Sequence, residues 1–413
     1  MSSKPPGEME IGKLERMETT MPIQDTCPGC GAQGTEIFYE LKGVPVHSVL
    51  LMPDRQTALN YPKGDIALAF CRHCGFISNA AFDPRVHEYS SRYEETQGFS
   101  PTFNAFARRQ AQSLIDRYDL HNKDIIEIGC GKGEFLTLLC ELGGNRGIGF
   151  DPAYVNERDH SAVKDRITFI QDFYSEKYSD RKGDFVCCKM TLEHIRETAD
   201  FVSMVRRSIG PRPETVVFFQ VPDAVRILRE NAFWDIYYEH CSYFSIGTFG
   251  RLFRQCGFVV TGLWKDYDDQ YLMIEARPGD RHDAVPFPEE EGPKELSLDI
   301  AYFSENCSRS IKAWKQKLDG IRRKGQRIVL WGGGSKGVAF LTTLGVNEGI
   351  EYVVDINPFK HGTYMAGTGQ EIVAPDFLRG YQPDVVIVMN PVYREEIRRS
   401  CADMGLEPAI LTV

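Results

Sequence analysis

The chain has 413 residues, 42% of them hydrophobic and 26% charged, a balance that suits a globular protein of about two to four domains. The formal net charge is -10 and no dense Lys/Arg block occurs, which argues against a broad nucleic-acid footprint, and no apolar run approaches the roughly 20 residues of a membrane helix. Twelve cysteines, four of them in two C-x-x-C pairs, fit metal binding in a reducing, cytoplasmic setting rather than a disulfide framework.

Met1 to Met21 is polar, lacks the apolar centre of a signal peptide and is expected to be a disordered leader. Residues 22–88 carry Cys27-Pro-Gly-Cys30 and Cys71-Arg-His-Cys74, with 40 residues between the pairs. Each pair can present two thiolates to one tetrahedral Zn²⁺, and four thiolates without water make a closed, structural site. That separation is wider than in compact zinc fingers, so the residues between are expected to form a small sheet. His73, inside the second pair, is expected to be a bystander.

From residue 102 to 276 strands and helices alternate. Apolar strand patterns fall at 124–129, 146–150, 167–171, 184–189, 214–221, 258–264 and 270–276. Helical patterns fall at 102–119, 134–143, 195–208 and 246–256. The alternation predicts a doubly wound, mainly parallel α/β sheet. Only Lys265-Asp-Tyr-Asp-Asp269 separates the last two strands, too little for a helical crossover, so one of them is expected to be antiparallel.

The first of these strands runs into Ile125-Ile-Glu127-Ile-Gly129-Cys-Gly131-Lys-Gly133, and a helical pattern follows at once. Glycines there let backbone approach a ligand and permit tight-turn dihedrals. Asp151 closes the second strand, 24 residues after Glu127, where a carboxylate can accept from a ribose diol. The third strand ends in Gln171-Asp172-Phe173, placed to meet an adenine edge and face. A dinucleotide site uses similar logic, but an acid ahead of the glycines is poorly placed beside a pyrophosphate. The Gly-x-Gly-x-Gly spacing also differs from the dinucleotide fingerprint. The stretch is therefore read as a site for S-adenosylmethionine, held by Glu127, Gly129, Gly131, Gly133, Asp151, Asp172 and Phe173.

After the fourth strand comes Lys189-Met-Thr-Leu-Glu193-His194-Ile, with His194 as a secondary base candidate. After the fifth comes Asn231-Ala-Phe-Trp-Asp235-Ile-Tyr237-Tyr-Glu239-His240-Cys-Ser-Tyr243-Phe-Ser245, crowded with titratable and aromatic groups. A histidine here can act as a general base near neutral pH. Glu239 can orient it, and Tyr237 can donate to a developing oxyanion. An aromatic-rich cap around a satisfied structural histidine is the competing reading.

Residues 277–293 are rich in proline, glycine and acid and are expected to be a linker. A long helix follows, with Ile300, Phe303, Cys307, Ile311, Trp314, Leu318 and Ile321 on one stripe. A second, smaller α/β unit closes the chain, with strands near 327–331, 351–355, 384–389 and 408–412. Its Gly332-Gly-Gly-Ser335-Lys336-Gly337 turn and Asp355 leave three readings open: a contact to a substrate phosphate, a cofactor site, or a structural turn.

At Asp235-Ile-Tyr237-Tyr-Glu239-His240-Cys-Ser-Tyr243-Phe-Ser245, at the 332–337 turn, at Val354-Asp355-Ile-Asn-Pro358 and at Asn390-Pro-Val-Tyr-Arg-Glu395, the chain resembles the nucleotide-sugar C-methyltransferases of deoxysugar biosynthesis. The resemblance covers nearly the whole chain. It implies a zinc-binding domain over 22–88, a class I methyltransferase domain over 89–276, a linker over 277–294 and a Rossmann-like substrate-binding domain over 295–413. It implies methylation of a sugar carbon next to a ketone, with His240 as base, Glu239 and Tyr237 as its helpers, and a nucleoside diphosphate anchored between the central and C-terminal domains. The expected assembly is a monomer or homodimer. Two stretches depart from the family pattern. Tyr89-Ser-Ser-Arg-Tyr93-Glu-Glu-Thr-Gln97-Gly-Phe-Ser100 matches it only in part, and the stretch around Glu193 follows generic methyltransferases. Both face the active site in such folds, which leaves room for a different acceptor. Methylation of an oxygen or nitrogen on a related small precursor is the enzyme alternative. A nicotinamide-dependent sugar oxidoreductase or epimerase is the alternative of another class. Intact Glu127, Asp151 and Glu239-His240 stand against a scaffold that has lost its chemistry.

Overall fold

Three sheets, one for each α/β or cysteine-bearing segment of the sequence, make up the computed structural model, which describes residues 24–86, 90, 92–158, 161–279, 285–346 and 348–413. The leader expected over 1–21, Tyr89 and the centre of the expected linker at 280–284 lie outside the described residues. In the N-terminal segment β1 (Glu36–Pro45) leads to a short helix, α1 (Arg55–Leu59), capped by Asp54, then to β2 (Lys63–Phe70) and β3 (Ile77–Asn79). These strands pair antiparallel, and the apolar end of β2, from Ile66 to Phe70, is buried.

The central segment runs α2 (Pro101–Tyr118), β4 (Asp124–Ile128), α3 (Glu134–Gly143), β5 (Arg146–Phe150), β6 (Ile167–Ile170), β7 (Phe185–Lys189), α4 (Thr198–Ile209), β8 (Val216–Pro222), α5 (Ala224–Glu230), β9 (Ser242–Tyr243), α6 (Ile246–Gln255), β10 (Phe258–Asp266) and β11 (Tyr271–Pro278). All seven expected strands are present, in the order β10-β11-β8-β7-β4-β5-β6. Helices lie on both faces, which explains the near-continuous apolar runs of the inner strands. The antiparallel strand is β11, paired in that sense with both β10 and β8. A hairpin turn sets its direction: Tyr267, Asp268 and Asp269 all hold φ near +57°.

One short element was not foreseen. Strand β9 leaves the central segment and pairs with β3, so that Tyr243 lies opposite Ile77 and completes the N-terminal sheet. The run that carries His240 is thereby pinned to the N-terminal sheet.

The last segment begins with α7 (Pro293–Arg323) and continues with β12 (Ile328–Trp331), α8 (Ser335–Leu344), β13 (Tyr352–Val354), β14 (Glu371–Val373), α9 (Leu378–Tyr381), β15 (Val385–Val388), α10 (Arg394–Asp403) and β16 (Ala409–Thr412). Its strands are parallel, in the order β14-β13-β12-β15-β16. Strand β14 was not anticipated; only three residues long, it gives too little periodicity to read. The stripe on α7 buries Ile300, Phe303, Cys307, Trp314 and Leu318. Phe303 meets Tyr39 of β1 at 5.4 Å between ring centroids, and Trp314 meets Phe340 of α8 at 5.2 Å. One apolar core therefore runs from Val46 through Phe233 to Phe340, across all three segments. In each doubly wound sheet the strand order reverses beside the first strand, between β4 and β7 and between β12 and β15. Ligands of such sheets bind at these switch points, and here both open into one space.

Candidate active site

A cavity of about 900 Å³ is lined by the carboxyl ends of β4, β5, β7 and β8, by the Tyr93–Ser100 stretch, and by Gly332–Gly337, Asp355 and Asn390 of the last segment. The chain enters it from β4 through a turn that only glycine allows. Gly129 has φ +68° and Gly133 φ +84°, and a Cβ on Gly129 would stand 2.1 Å from Thr191 Oγ1. Glu127 is 2% exposed, and its Oε2 has no hydrogen-bond partner. Burial pushes its carboxyl up from the usual carboxylate range. The Lys189 ammonium, at the end of the neighbouring strand, lies 3.4 Å from the centre of the Phe135 ring. Asp151 accepts from Gly131 N at 2.9 Å and from Ala153 N at 2.7 Å, so the second strand's acid also shapes the first strand's turn. Asp172 and Phe173 line the same cavity, and Phe173 is 60% exposed. Asp172 is tied to Lys177 and accepts from Tyr178 Oη at 2.6 Å.

The same cavity is lined by His240, 4% exposed, with the Tyr237 ring 4.1 Å from its own and the His194 ring at 4.9 Å, edge-on. Burial pulls His240 down to about 3, so its imidazole is neutral at any ordinary pH. Burial also keeps Tyr237 a neutral phenol, well above its usual value. The acid brought to the His240 ring is not its chain neighbour. Adjacent residues point apart, and Glu239 lies outside the cavity lining. Its Oε1 faces His47 Nδ1 at 3.1 Å, and its Oε2 accepts from Ser48 N at 2.9 Å and from the Ser48 hydroxyl. Burial raises the Glu239 carboxyl, but these partners outweigh it and hold it below the usual value. Glu193 takes the place beside the ring, with Oε1 4.0 Å from His240 Nε2.

The far wall belongs to the last segment. Lys336, at the start of α8, forms an ion pair at 2.5 Å with Asp235, which also pairs with Arg226. The hydroxyl oxygens of Ser335 and Ser48 lie 2.8 Å apart. Asp355 accepts from Gly333 N at 2.8 Å and from Asn357 N at 2.8 Å, with Lys360 Nζ at 3.3 Å.

This geometry meets the comparisons with known proteins at the donor turn. A methyltransferase domain model matches residues 103–263, and a C-methyltransferase C-terminal domain model matches residues 289–407. The C-methyltransferase NovU of Streptomyces niveus is 24% identical over 391 residues, 90% of this chain and 91% of that protein. The chain is an S-adenosylmethionine-dependent methyltransferase. The methyltransferase also aligns with ribosomal protein L11 methyltransferase of Haemophilus influenzae, at 29% identity over 103 residues, 23% of this chain and 34% of that one. Among solved structures, magnesium protoporphyrin IX methyltransferase from Synechocystis PCC 6803 with bound SAH gives a TM-score of 0.34 at 15% identity, over 43% of this chain and 84% of that one.

Away from the cavity, the four paired cysteines of the methyltransferase converge. Cys27 and Cys74 sulfurs lie 3.6 Å apart and those of Cys30 and Cys71 3.7 Å apart, with all four within 4.8 Å of one another. A tetrahedral site with Zn–S bonds near 2.3 Å places its sulfurs about 3.8 Å apart, so the set fits one zinc ion. His73 is exposed and outside this group. No sequence signal marks His47 or Ser48, or the hydrogen bond that Asn357 donates to Glu94 at 2.8 Å. His47 and Ser48 sit in no motif, and each of these contacts joins residues far apart in the chain.

Proposed function

We propose that the methyltransferase acts on a nucleotide-linked keto-sugar and methylates the carbon beside its ketone. The observation that supports this most is His240, a buried imidazole packed against the Tyr237 ring in the cavity that the donor turn and the C-terminal wall also line. A carbon acid needs a base with a free lone pair in a site from which water can be excluded, and because burial weakens His240 as a base, a donor to the enolate oxygen is needed as well. His240 serves as that base, taking the proton of the carbon, and Tyr237 donates to the oxygen on which charge develops. Glu239, tied to His47 and Ser48, fixes where the backbone holds His240.

S-adenosylmethionine, when bound, supplies an electrophilic methyl group. Its fit rests on two features: the orphaned, buried Oε2 of Glu127 and the cradle that a Cβ at Gly129 would fill. In this reading Glu127 receives the ammonium, Asp151 the ribose hydroxyls, and Asp172 with Phe173 flanks the adenine. The acceptor's nucleotide lies between the central and C-terminal domains, along Ser335 and Lys336. Cys27, Cys30, Cys71 and Cys74 hold one structural Zn²⁺.

In D₂O with a nucleoside-diphosphate-linked 4-keto-6-deoxyhexose, the protein is expected to exchange the hydrogen beside the ketone, and His240→Ala to lose that exchange. Full exchange and turnover in the variant would remove His240 from the mechanism. Mass spectrometry that placed the new methyl on oxygen or nitrogen would replace carbon methylation altogether.

A further inference from the structure

Glu193 lies in the turn after β7, is 1% exposed, and neither of its carboxyl oxygens has a hydrogen-bond partner. Its backbone carbonyl accepts from Cys241 N at 3.0 Å, which fixes it against the run that carries His240. The carboxyl lines the donor cavity, and its 4.0 Å separation from His240 Nε2 is too long for a direct hydrogen bond. The gap leaves room for a ligand whose oxygen takes a hydrogen bond from the Glu193 carboxyl while the neighbouring carbon faces His240. A buried polar pair left open in this way marks the seat of a ligand atom.

We propose that Glu193 is a catalytic residue, a carboxylic acid that donates a hydrogen bond to the acceptor's enolate oxygen while His240 takes the neighbouring proton. This rests on the enolate reading above. In the step, the carbon–hydrogen bond breaks and its proton goes to His240. The electron pair becomes the carbon–carbon double bond, and the carbonyl π pair moves onto oxygen, into the hydrogen bond from Glu193. No further reactant is needed. Burial pushes the Glu193 carboxyl up to about 8, so it keeps its proton at neutral pH. A carboxyl kept neutral by an apolar site donates to an oxyanion where a carboxylate would repel it. Glu239 cannot take this role, since His47 and Ser48 occupy its carboxylate.

Two measurements decide the matter. With ¹³C-carboxyl-labelled glutamate, the infrared difference between the wild type and Glu193→Gln is expected to show a protonated carboxyl up to about pH 7. A Glu193 already ionised at about pH 6 overturns the proposal, because a carboxylate has no proton to donate. With thymidine-diphosphate-linked 4-keto-6-deoxyglucose in D₂O, Glu193→Ala is expected to slow exchange by about 100-fold or more, and Glu193→Gln, which keeps a donor, by less. Both variants should still bind S-adenosylhomocysteine as the wild type does. Exchange at the wild-type rate in Glu193→Ala overturns the proposal. If the wild type exchanges nothing, the enolate reading falls, and the infrared measurement alone decides the state of Glu193.

Discussion

Gly129 shows how little room the donor turn leaves. With φ +68° and Thr191 Oγ1 2.1 Å from the site of a Cβ, alanine there is strained in both backbone and contact. A left-handed non-glycine residue costs roughly 1–2 kcal/mol before any clash, so Gly129→Ala is expected to weaken S-adenosylhomocysteine binding by about 10-fold or more, measured by calorimetry. Glu193 makes a prediction of its own about pH. Its folded value, about 8, lies above its unfolded value of 4.5. The unfolded chain thus releases the proton first, and stability falls as pH rises from about 4.5 toward 8. Thermal unfolding across that range is expected to show a smaller decline for Glu193→Gln than for the wild type. An equal decline would mean that Glu193 ionises freely in the folded protein.

Among the elements, β9 joins the central segment to the N-terminal sheet through only two residues. Its partner β3 follows directly on the Cys71–Cys74 knuckle, and Arg251 of α6 donates to Cys74 O at 3.1 Å. The cysteine cluster thus braces the run that carries Tyr237 and His240 from behind. If the four cysteines hold zinc, the purified protein contains about one zinc per chain. Cys71→Ser is then expected to lower both zinc content and melting temperature, and to reduce turnover more than it reduces S-adenosylhomocysteine affinity. Metal analysis and calorimetry on the same preparation check this. A variant that keeps full turnover without metal would detach the cluster from the active site.

Over the whole molecule, buried polar contacts join the three segments around one cavity. Glu239 of the central segment meets His47 and Ser48 of the first, and Ser48 reaches Ser335 of the last. Asp235 pairs with Lys336 across the same gap. Burial raises Asp235, yet Lys336 and Arg226 outweigh it and hold it below its ordinary 3.8. Glu239 is likewise held below 4.5. Both lower values mean that the stability they add is present above the unfolded values and is lost as pH falls through the folded ones. Acid unfolding below about pH 4 is therefore expected to begin with separation of the segments, seen as a rise in scattering radius ahead of the loss of helix signal. Glu239→Ala, which removes a buried carboxylate from His47 and Ser48, is expected to cost about 3 kcal/mol in chemical denaturation.

The sequence by itself determined whatever is local. Glu127 to Gly133 could be read because strand, turn and helix follow one another directly, and the cysteine pairs because each knuckle is only four residues long. The strand patterns and the five-residue gap before β11 carried the central sheet and its antiparallel strand. Tertiary structure decided which acid meets His240. Adjacent side chains point apart, so Glu239 turns away toward residues 191 and 192 positions earlier in the chain. Glu193, 47 positions before His240, arrives in its place because β7 and the β9 run end at the same edge of the fold. No periodicity encodes such a meeting. It follows from the order of strands in the sheet and from the pairing of β9 with β3.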